Sequence, residues 1–395
     1  MIPFARILKY GNELPLSDNI RDFFVDTSNA MPTVLMIKEN GEVWGNTNFG
    51  QYIGISSNTA CWGRPYFVMD NVKSMFPNTW GTILITKDNK VMVTGRQQSF
   101  NSSTTEYWKT FQDMSYLYTN QGIDISNIKK MVTNTNTLFL LLNNGDVYAH
   151  GTNTGGVMGV GNTTPNYAPT KVWSGANDIW LTNSNAIVKV GSKTFYATGT
   201  NSYRQMGVAD TAATFPTWTQ IFKEGTDDVM LEYNTLRVSE THFILYGKGT
   251  TFYAQGRNYT SAWGVSGPSV DGQYTSYKGT LLFTPGDLEF FYSGNNQAYW
   301  TNLIIDNTGK LYIAGTMNGG SGSNAYTFQQ LAIANDNAGN YKCGTSTRFY
   351  SIMDCKNTNF MWARGSSSTG SMGFTPLSTP LKQVWTHITD FVFNK

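Results

Sequence analysis

The sequence predicts an all-β chain: one seven-bladed β-propeller occupying residues 1–395. Three observations point there. A motif recurs with constant internal spacing. Each recurrence follows a short apolar run and a tight-turn sequence. No segment longer than ten residues carries a helical stripe.

The motif is clearest in four copies. Tyr148-Ala149-His150-Gly151 leads, seven residues past the glycine, to Met158-Gly159-Val160. Tyr196-Ala197-Thr198-Gly199 leads likewise to Met206-Gly207-Val208, Tyr253-Ala254-Gln255-Gly256 to Trp263-Gly264-Val265, and Trp362-Ala363-Arg364-Gly365 to Met372-Gly373-Phe374. Three weaker copies end at Gly315, Gly95 and Gly45; the last precedes Ile53-Gly54-Ile55, with a Gly-to-Gly spacing one residue longer. The anchor glycines 45, 95, 151, 199, 256, 315 and 365 are separated by 50, 56, 48, 57, 59 and 50 residues. Length alone suggests two or three domains. Repeats that bury a core between neighbours count instead as one body.

Each unit reads as about four strands. The buried second strands are Val34–Ile37, Thr82–Ile85, Thr137–Leu142, Ala186–Val188, His242–Leu245, Asn302–Ile305 and Phe349–Ile352. Turns follow at Asn40-Gly41, Asp88-Asn89, Asn143–Asp146, Gly191-Ser192, Gly247–Gly249, Asn307–Gly309 and Lys356-Asn357. Asn144-Gly145 suits the positive φ angles of a type I′ hairpin. In the third unit Asn127–Val132 is the first strand and Pro169–Trp173 the outer one. After each Tyr-Ala strand the chain must turn sharply against its neighbour, which calls for glycine. The alanine suits a crowded strand near the axis, and the tyrosine fills the gap between blades. The stretch Asn19–Val25 resembles His387–Phe393, so ring closure has two solutions: one end strand completes the other's blade, or one is a spare edge.

Gly145-Asp146-Val147-Tyr148-Ala149-His150-Gly151-Thr152-Asn153, followed by Gly156-Val157-Met158-Gly159-Val160-Gly161, resembles the repeat of the regulator of chromosome condensation (RCC1) family. Asn201 and Asn258 fit the same Gly-x-Asn position. The resemblance implies a seven-bladed propeller. It covers most of the chain, most strongly in units three, four, five and seven. WD repeats are the rival, and no Trp-Asp or Gly-His signature falls at blade spacing. Nucleotide exchange and chromatin binding belong to some members only. The residues matched are structural, and the basic tail of a chromatin binder is missing, so neither activity is carried over.

Composition bounds the function. Charged residues make up 14% and aromatic residues 14% of the 395 residues, with a net charge of +2. A skin of Asn, Thr, Ser, Gln and Gly wets this protein, as in virion proteins and adhesins. Lys129-Lys130 is the best cationic cluster, too small for tracking phosphates, so no nucleic-acid partner is expected. No apolar run reaches membrane-spanning length, and no membrane insertion is expected. The first residues lack the plan of a signal peptide, so synthesis in a host cytoplasm is expected. Cys61, Cys343 and Cys355 read as small buried hydrophobes, although Cys343 and Cys355 could face each other across a hairpin.

Chemistry is sparse. His150, His242 and His387 have no metal-ligand spacing, so no metal and no cofactor is expected. There is no nucleophile elbow and no phosphate loop. Asp227-Asp228 and Asp287-x-Glu289 read as turn and capping residues. No catalytic residue is assigned and the chain is read as a non-enzyme. Asn101, Asn162 and Asn258 match the glycosylation pattern by chance in an Asn/Thr-rich chain. The informative stretches are three apparent insertions, 96–125, 266–285 and 319–346. Long loops are commonly functional. Their aromatics, Tyr107, Trp108, Phe111, Tyr116, Tyr118, Tyr274, Tyr277 and Tyr326, are the expected binding residues, against the reading that they cap the propeller's own core. The function expected is a structural or adhesion protein of a virion. It would sit on a phage tail or capsid and bind other virion proteins, or a host-surface glycan or protein. The alternatives are a cytoplasmic RCC1-like scaffold or exchange-factor-like regulator, and a lectin-like glycan binder.

Overall fold

The computed structural model describes residues 20–25, 33–47, 49–55, 61–78, 80–97, 100, 106–134, 136–192, 194–211, 213–222, 235–238, 241–246, 251–258, 263, 272–280, 288–293, 301–306, 311–316, 324–331, 341–345, 349–354, 360–366 and 381–387. Within them, twenty-eight strands form seven four-stranded antiparallel sheets, each built from four consecutive strands. These are the seven blades of a propeller. Blade 1 runs from Ile20–Val25 to Cys61–Met69, blade 2 from Val72–Asn78 to Tyr107–Asp113, and blade 3 from Ile128–Thr133 to Asn166–Trp173. Blade 4 runs from Ala176–Leu181 to Thr214–Ile221, and blade 5 from Thr235–Val238 to Gln273–Thr280. Blade 6 runs from Leu288–Ser293 to Asn324–Leu331, and blade 7 from Tyr341–Thr345 to Leu381–His387. First strands line the axis, where those of blades 2 and 3, 3 and 4, 5 and 6, and 6 and 7 meet; the first strand of blade 1 lies beside that of blade 7. The ring therefore closes by side-by-side contact. The strand Ile20–Val25 is the innermost strand of its own blade, neither spare nor lent to another. Residues 388–393 lie outside the described residues.

The core sits between blades. Second strands have a neighbouring blade on each side, so Gly81–Thr86 and Thr137–Leu142 are buried at every position. One cluster joins blades 3 and 4 through Phe139, Leu141, Ala149, Met158, Ile179 and Val188. Others join blades 1 and 2, 2 and 3, and 4 and 5. Tyr148, Tyr196 and Tyr253 fill these gaps as expected. The alanines do not lie near the axis. Ala149, Ala197 and Ala254 stand on third strands, and their crowding comes from the adjacent blade.

The anchor glycines have one structural cause. In all seven blades the ladder between the third and outer strands slips at the same place. Between the flanking pairs the outer strand carries one to three residues more than the third strand, so the outer strand bulges there. Gly95, Gly151, Gly199 and Gly256 take φ values of 92°, 113°, 113° and 99°. A Cβ on any of them would collide with the backbone carbonyl of Trp80, Asn136, Ser184 or Thr241. Gly315 and Gly365 hold the same register, opposite Thr301 and Phe349. Blade 1 departs from the predicted anchor. Thr47, not Gly45, pairs with the first residue of the second strand, while Gly45 takes the alanine position. Thr47 has no positive φ, and its hydroxyl ties the corner instead, meeting the Thr33 hydroxyl at 2.9 Å and accepting from the Phe49 N–H at 3.2 Å.

The hairpin turns also differ from expectation. In blade 3 the Gly145 N–H reaches the Leu142 carbonyl at 3.0 Å, and only Gly145, not Asn144, has positive φ. This is a three-residue loop with glycine at the left-handed position, not a type I′ turn. Gly41 does the same in blade 1.

First strands carry a second repeated device. In five blades their ladder slips around the second residue: Arg21, Lys73, Lys129, Asn177 and Glu289. A bulged residue leaves the ladder and can be aimed elsewhere. Arg21 donates to the Lys73 carbonyl at 2.6 Å, Lys73 to the Ser126 carbonyl at 3.3 Å and Lys129 to the Asn177 carbonyl at 2.8 Å, each reaching to or just before the next blade. Cys343 stands opposite Ile352, and Cys355 lies outside the described residues.

The topology gives the ring two faces. Hairpin turns between second and third strands, with the links between blades, form the turn face. Connections from first to second and from third to outer strands form the loop face.

Candidate functional site

The stretches read as insertions hold regular structure. The aromatic residues mixed with polar ones in Tyr107–Asp113, Gln273–Thr280 and Asn324–Leu331 form outer strands, because each must cover the third strand of its blade. Tyr107 lies 5.9 Å from the Tyr52 ring and Trp108 lies 5.8 Å from Phe100. Tyr274 and Tyr277 each sit 5.4 Å from Trp263. Phe111 lies against Gly54 of blade 1, where any Cβ would meet its ring, and Trp218 lies in the same way against Gly159 of blade 3. The glycine of Met-Gly-Val thus makes room for an aromatic from the next blade. Gly207 clears space for Gln255 instead. Gly264 and Gly373 fall outside the described residues.

Tyr116 and Tyr118 lie on the short helix Ser115–Thr119 that links blades 2 and 3. Tyr116 is 51% exposed. Tyr118 is fully buried, its hydroxyl 3.3 Å from His150 Nε2, so it offers no surface to a ligand. Burial pushes its phenol above the usual value of 10.0. Tyr326 stands on the outer strand of blade 6. The structure does not gather these aromatics into one patch: Tyr107, Trp108 and Phe111 belong to blade 2, Tyr274 and Tyr277 to blade 5, and Tyr326 to blade 6.

In blades 2 and 4 the residue before the anchor glycine is an inter-blade tie. Thr94 donates to the Gln51 carbonyl at 2.9 Å, and Thr198 to the Gly156 carbonyl at 2.8 Å. His150 takes that position in blade 3 and is fully buried against Tyr118 and Phe100. His242 opens the second strand of blade 5, with Nδ1 3.2 Å from the Thr241 hydroxyl. His387 ends the outer strand of blade 7. Among the described residues no group of His, Cys, Asp and Glu could hold a metal, and no helix is long and apolar enough to cross a membrane.

The loop face is shaped by buried amides. Asn153 Oδ1 accepts from the Met158 N–H at 2.8 Å while its Nδ2 donates to the Asn162 carbonyl at 2.7 Å. Asn201 does the same with the Met206 N–H at 2.8 Å and the Val208 carbonyl at 3.0 Å, and also donates to the Asp210 carbonyl. Asn258 Oδ1 accepts from the Trp263 N–H at 3.2 Å and the residue is buried. These asparagines fold the loops; Asn162, in contrast, is exposed.

Charge divides between the faces. Glu39, Asp70, Lys73, Lys87, Asp88, Lys90, Asp124 and Lys129 are exposed on or beside the turn face. Among the described residues, Glu106 and Asp210 are the exposed charges on the loop face, and Arg96, Arg204 and Arg257 stand half-buried there. Of the seven connections from third to outer strands, 48–60, 152–165, 317–323 and 367–380 contain no Asp, Glu, Lys or Arg, and the other three contain only Glu106, Arg204, Asp210 and Asp271. Sequence reasoning missed this because charge was counted along the chain, not by connection type.

A cleft of about 120 Å³ opens on the loop face between blades 3 and 4. Asn134, Asn136, Thr137, Thr152, Thr154, Val157 and Asn183 line it. Asn134 bridges the blades, its Nδ2 donating to the carbonyls of Thr182 at 3.0 Å and Asn183 at 3.2 Å. Its Oδ1 accepts from the backbone N–H groups of Asn136 at 2.9 Å and Thr137 at 2.7 Å. Asn136 Oδ1 is buried without a hydrogen bond. The run Thr133–Thr137, alternating Thr and Asn, was the available signal.

The sequence matches no family model. No curated protein matches it. Solved structures do. Human WBSCR16 superposes with a TM-score of 0.66 at 12% identity over 88% of this chain and 93% of that one. Yeast RCC1 (Prp20), solved with Kap60, gives a TM-score of 0.67 at 14% identity over 94% of this chain and 84% of that one. Saccharomyces cerevisiae Prp20p gives 0.52 at 14% identity over 93% and 76%. The fold is an RCC1-like propeller.

Proposed function

We propose that the chain is a non-enzymatic binding propeller that docks a protein partner through its loop face. The division of charge carries this reading. Interface centres are depleted of charge, and the loop face exposes Thr154, Val160, Asn162, Thr163, Thr164, Asn183 and Ser202 with few charges among them. The fold likeness lends support: yeast RCC1 (Prp20) was solved bound to Kap60, and Prp20p was described with its binding to Gsp1p and histones.

The finer reading is a virion structural or adhesion protein on a phage tail or capsid. It rests on the sparsely charged, Asn/Thr-rich composition. An intracellular scaffold or exchange-factor-like regulator is the second reading, favoured by the RCC1-like fold. Sedimentation of native lysate separates them: the virion reading expects the chain to travel with a salt-resistant particle, and the second expects it free or with a soluble partner. The docking face itself is tested with a photo-crosslinker placed at Asn162 on the loop face or Asn144 on the turn face. Adducts in the native source are expected from position 162. Adducts from position 144 alone would overturn the assignment.

A further inference from the structure

We infer that the cleft between blades 3 and 4 is a subsite for a neutral, hydroxyl-rich group, in the first instance a single sugar residue. The inference deepens the loop-face reading and rests on it for access.

The lining selects the chemistry. It presents the amides of Asn136 and Asn183, the threonines 137, 152 and 154, and the apolar side of Val157. No ionisable group is present among the lining residues. A charged ligand would shed water with no counter-charge to meet it. An apolar ligand would desolvate the amides and hydroxyls of the lining without giving them partners. A hydroxyl both donates and accepts, so it pairs with the oxygen of an amide as readily as with a threonine hydroxyl. The cleft of about 120 Å³ has room for roughly four waters, or for one edge of a pyranose ring.

The site is also held in place. The Asn136 N–H is bound by Asn134, and the Asn136 carbonyl accepts from the Thr152 N–H at 2.8 Å. Thr137 Oγ1 donates to the Thr152 carbonyl at 2.6 Å. Asn134 fixes this wall to blade 4. Preorganised polar groups of this kind lower the ordering cost of binding.

The experiment is saturation-transfer NMR on the full chain with the methyl glycosides of glucose, galactose, mannose and N-acetylglucosamine. At least one is expected to bind with a Kd on the order of 1 mM. Asn136→Ala and Thr154→Trp are each expected to weaken it by about tenfold or more. Thr154 is exposed, so Thr154→Trp fills the mouth without touching a buried bond, and an unchanged melting curve certifies the fold. No transfer from any glycoside, or transfer that survives both substitutions, overturns the subsite. Binding to an immobilised oligosaccharide ending in the same sugar, competed by the free glycoside, assigns a glycan terminus; binding of the free glycoside alone assigns a free sugar. Crosslinking at Asn162 reads the face independently, so the subsite can fail while the docking face stands.

Discussion

Gly199 and Gly161 both have positive φ, 113° and 83°, yet their surroundings differ. An added Cβ at Gly199 would strike the Ser184 carbonyl, whereas at Gly161 it would meet nothing within 4 Å. Gly199→Ala should therefore cost about 3 kcal/mol or more, combining strain with backbone collision. Gly161→Ala should cost about 1 kcal/mol, the strain alone. Urea denaturation of the two variants checks the contrast. Tyr118 supplies a pH prediction. Burial raises its folded pKa above 10.0. The unfolded chain releases this proton first, so stability is full below about pH 10 and falls as pH rises beyond it. Tyr118→Phe should cost about 1 kcal/mol at neutral pH. It should also flatten the alkaline slope of stability, measured by denaturation at a series of alkaline pH values.

Blades are joined by small residues that admit large ones. Trp218 of blade 4 occupies space that Gly159 of blade 3 leaves open. It also meets Trp173 at 5.4 Å and Phe139 at 6.5 Å. Gly159→Ala and Trp218→Ala should each destabilise by about 2–3 kcal/mol. The double variant should be milder than the sum by at least about 1 kcal/mol, because the methyl then enters the space the indole has left. Additive costs in a double-mutant cycle would show that the two residues do not share that space. The same logic explains the aromatics expected to bind ligand. Trp108, Phe111, Tyr274 and Tyr277 are half-buried, with their rings turned to neighbouring loops and strands.

Ring closure operates at the scale of the molecule. The first strands of blades 1 and 7 meet, and no strand is exchanged. Blade 1 also covers the apolar face of blade 2, where Leu35, Ile37 and Val43 meet Val72 and Leu84. A chain beginning at residue 71 would leave that face and one side of blade 7 open. It is expected to lose the single cooperative unfolding transition and to bind a hydrophobic dye, read by calorimetry and fluorescence. A sharp transition with no dye binding would mean that six blades close without the first.

The sequence determined the strands, the blade count and the spacing of the anchors. These rest on local rules: a buried second strand must be apolar throughout, and a third strand that turns to positive φ beside a carbonyl must carry glycine. It misplaced the anchor of blade 1, because Gly45 looks right while only the pairing of Thr33 with Thr47 reveals the register. It read outer strands as loops, because they bulge against their partner, and paired residues lie 11 to 29 positions apart in the chain in the blades concerned. Along the chain the cleft showed only as the Thr/Asn run Thr133–Thr137, and the division of charge did not show at all. Asn134 and Asn183 are 49 residues apart and meet only when two blades stand side by side. Connections of one type share a face only after every blade is stacked in the same sense around the axis.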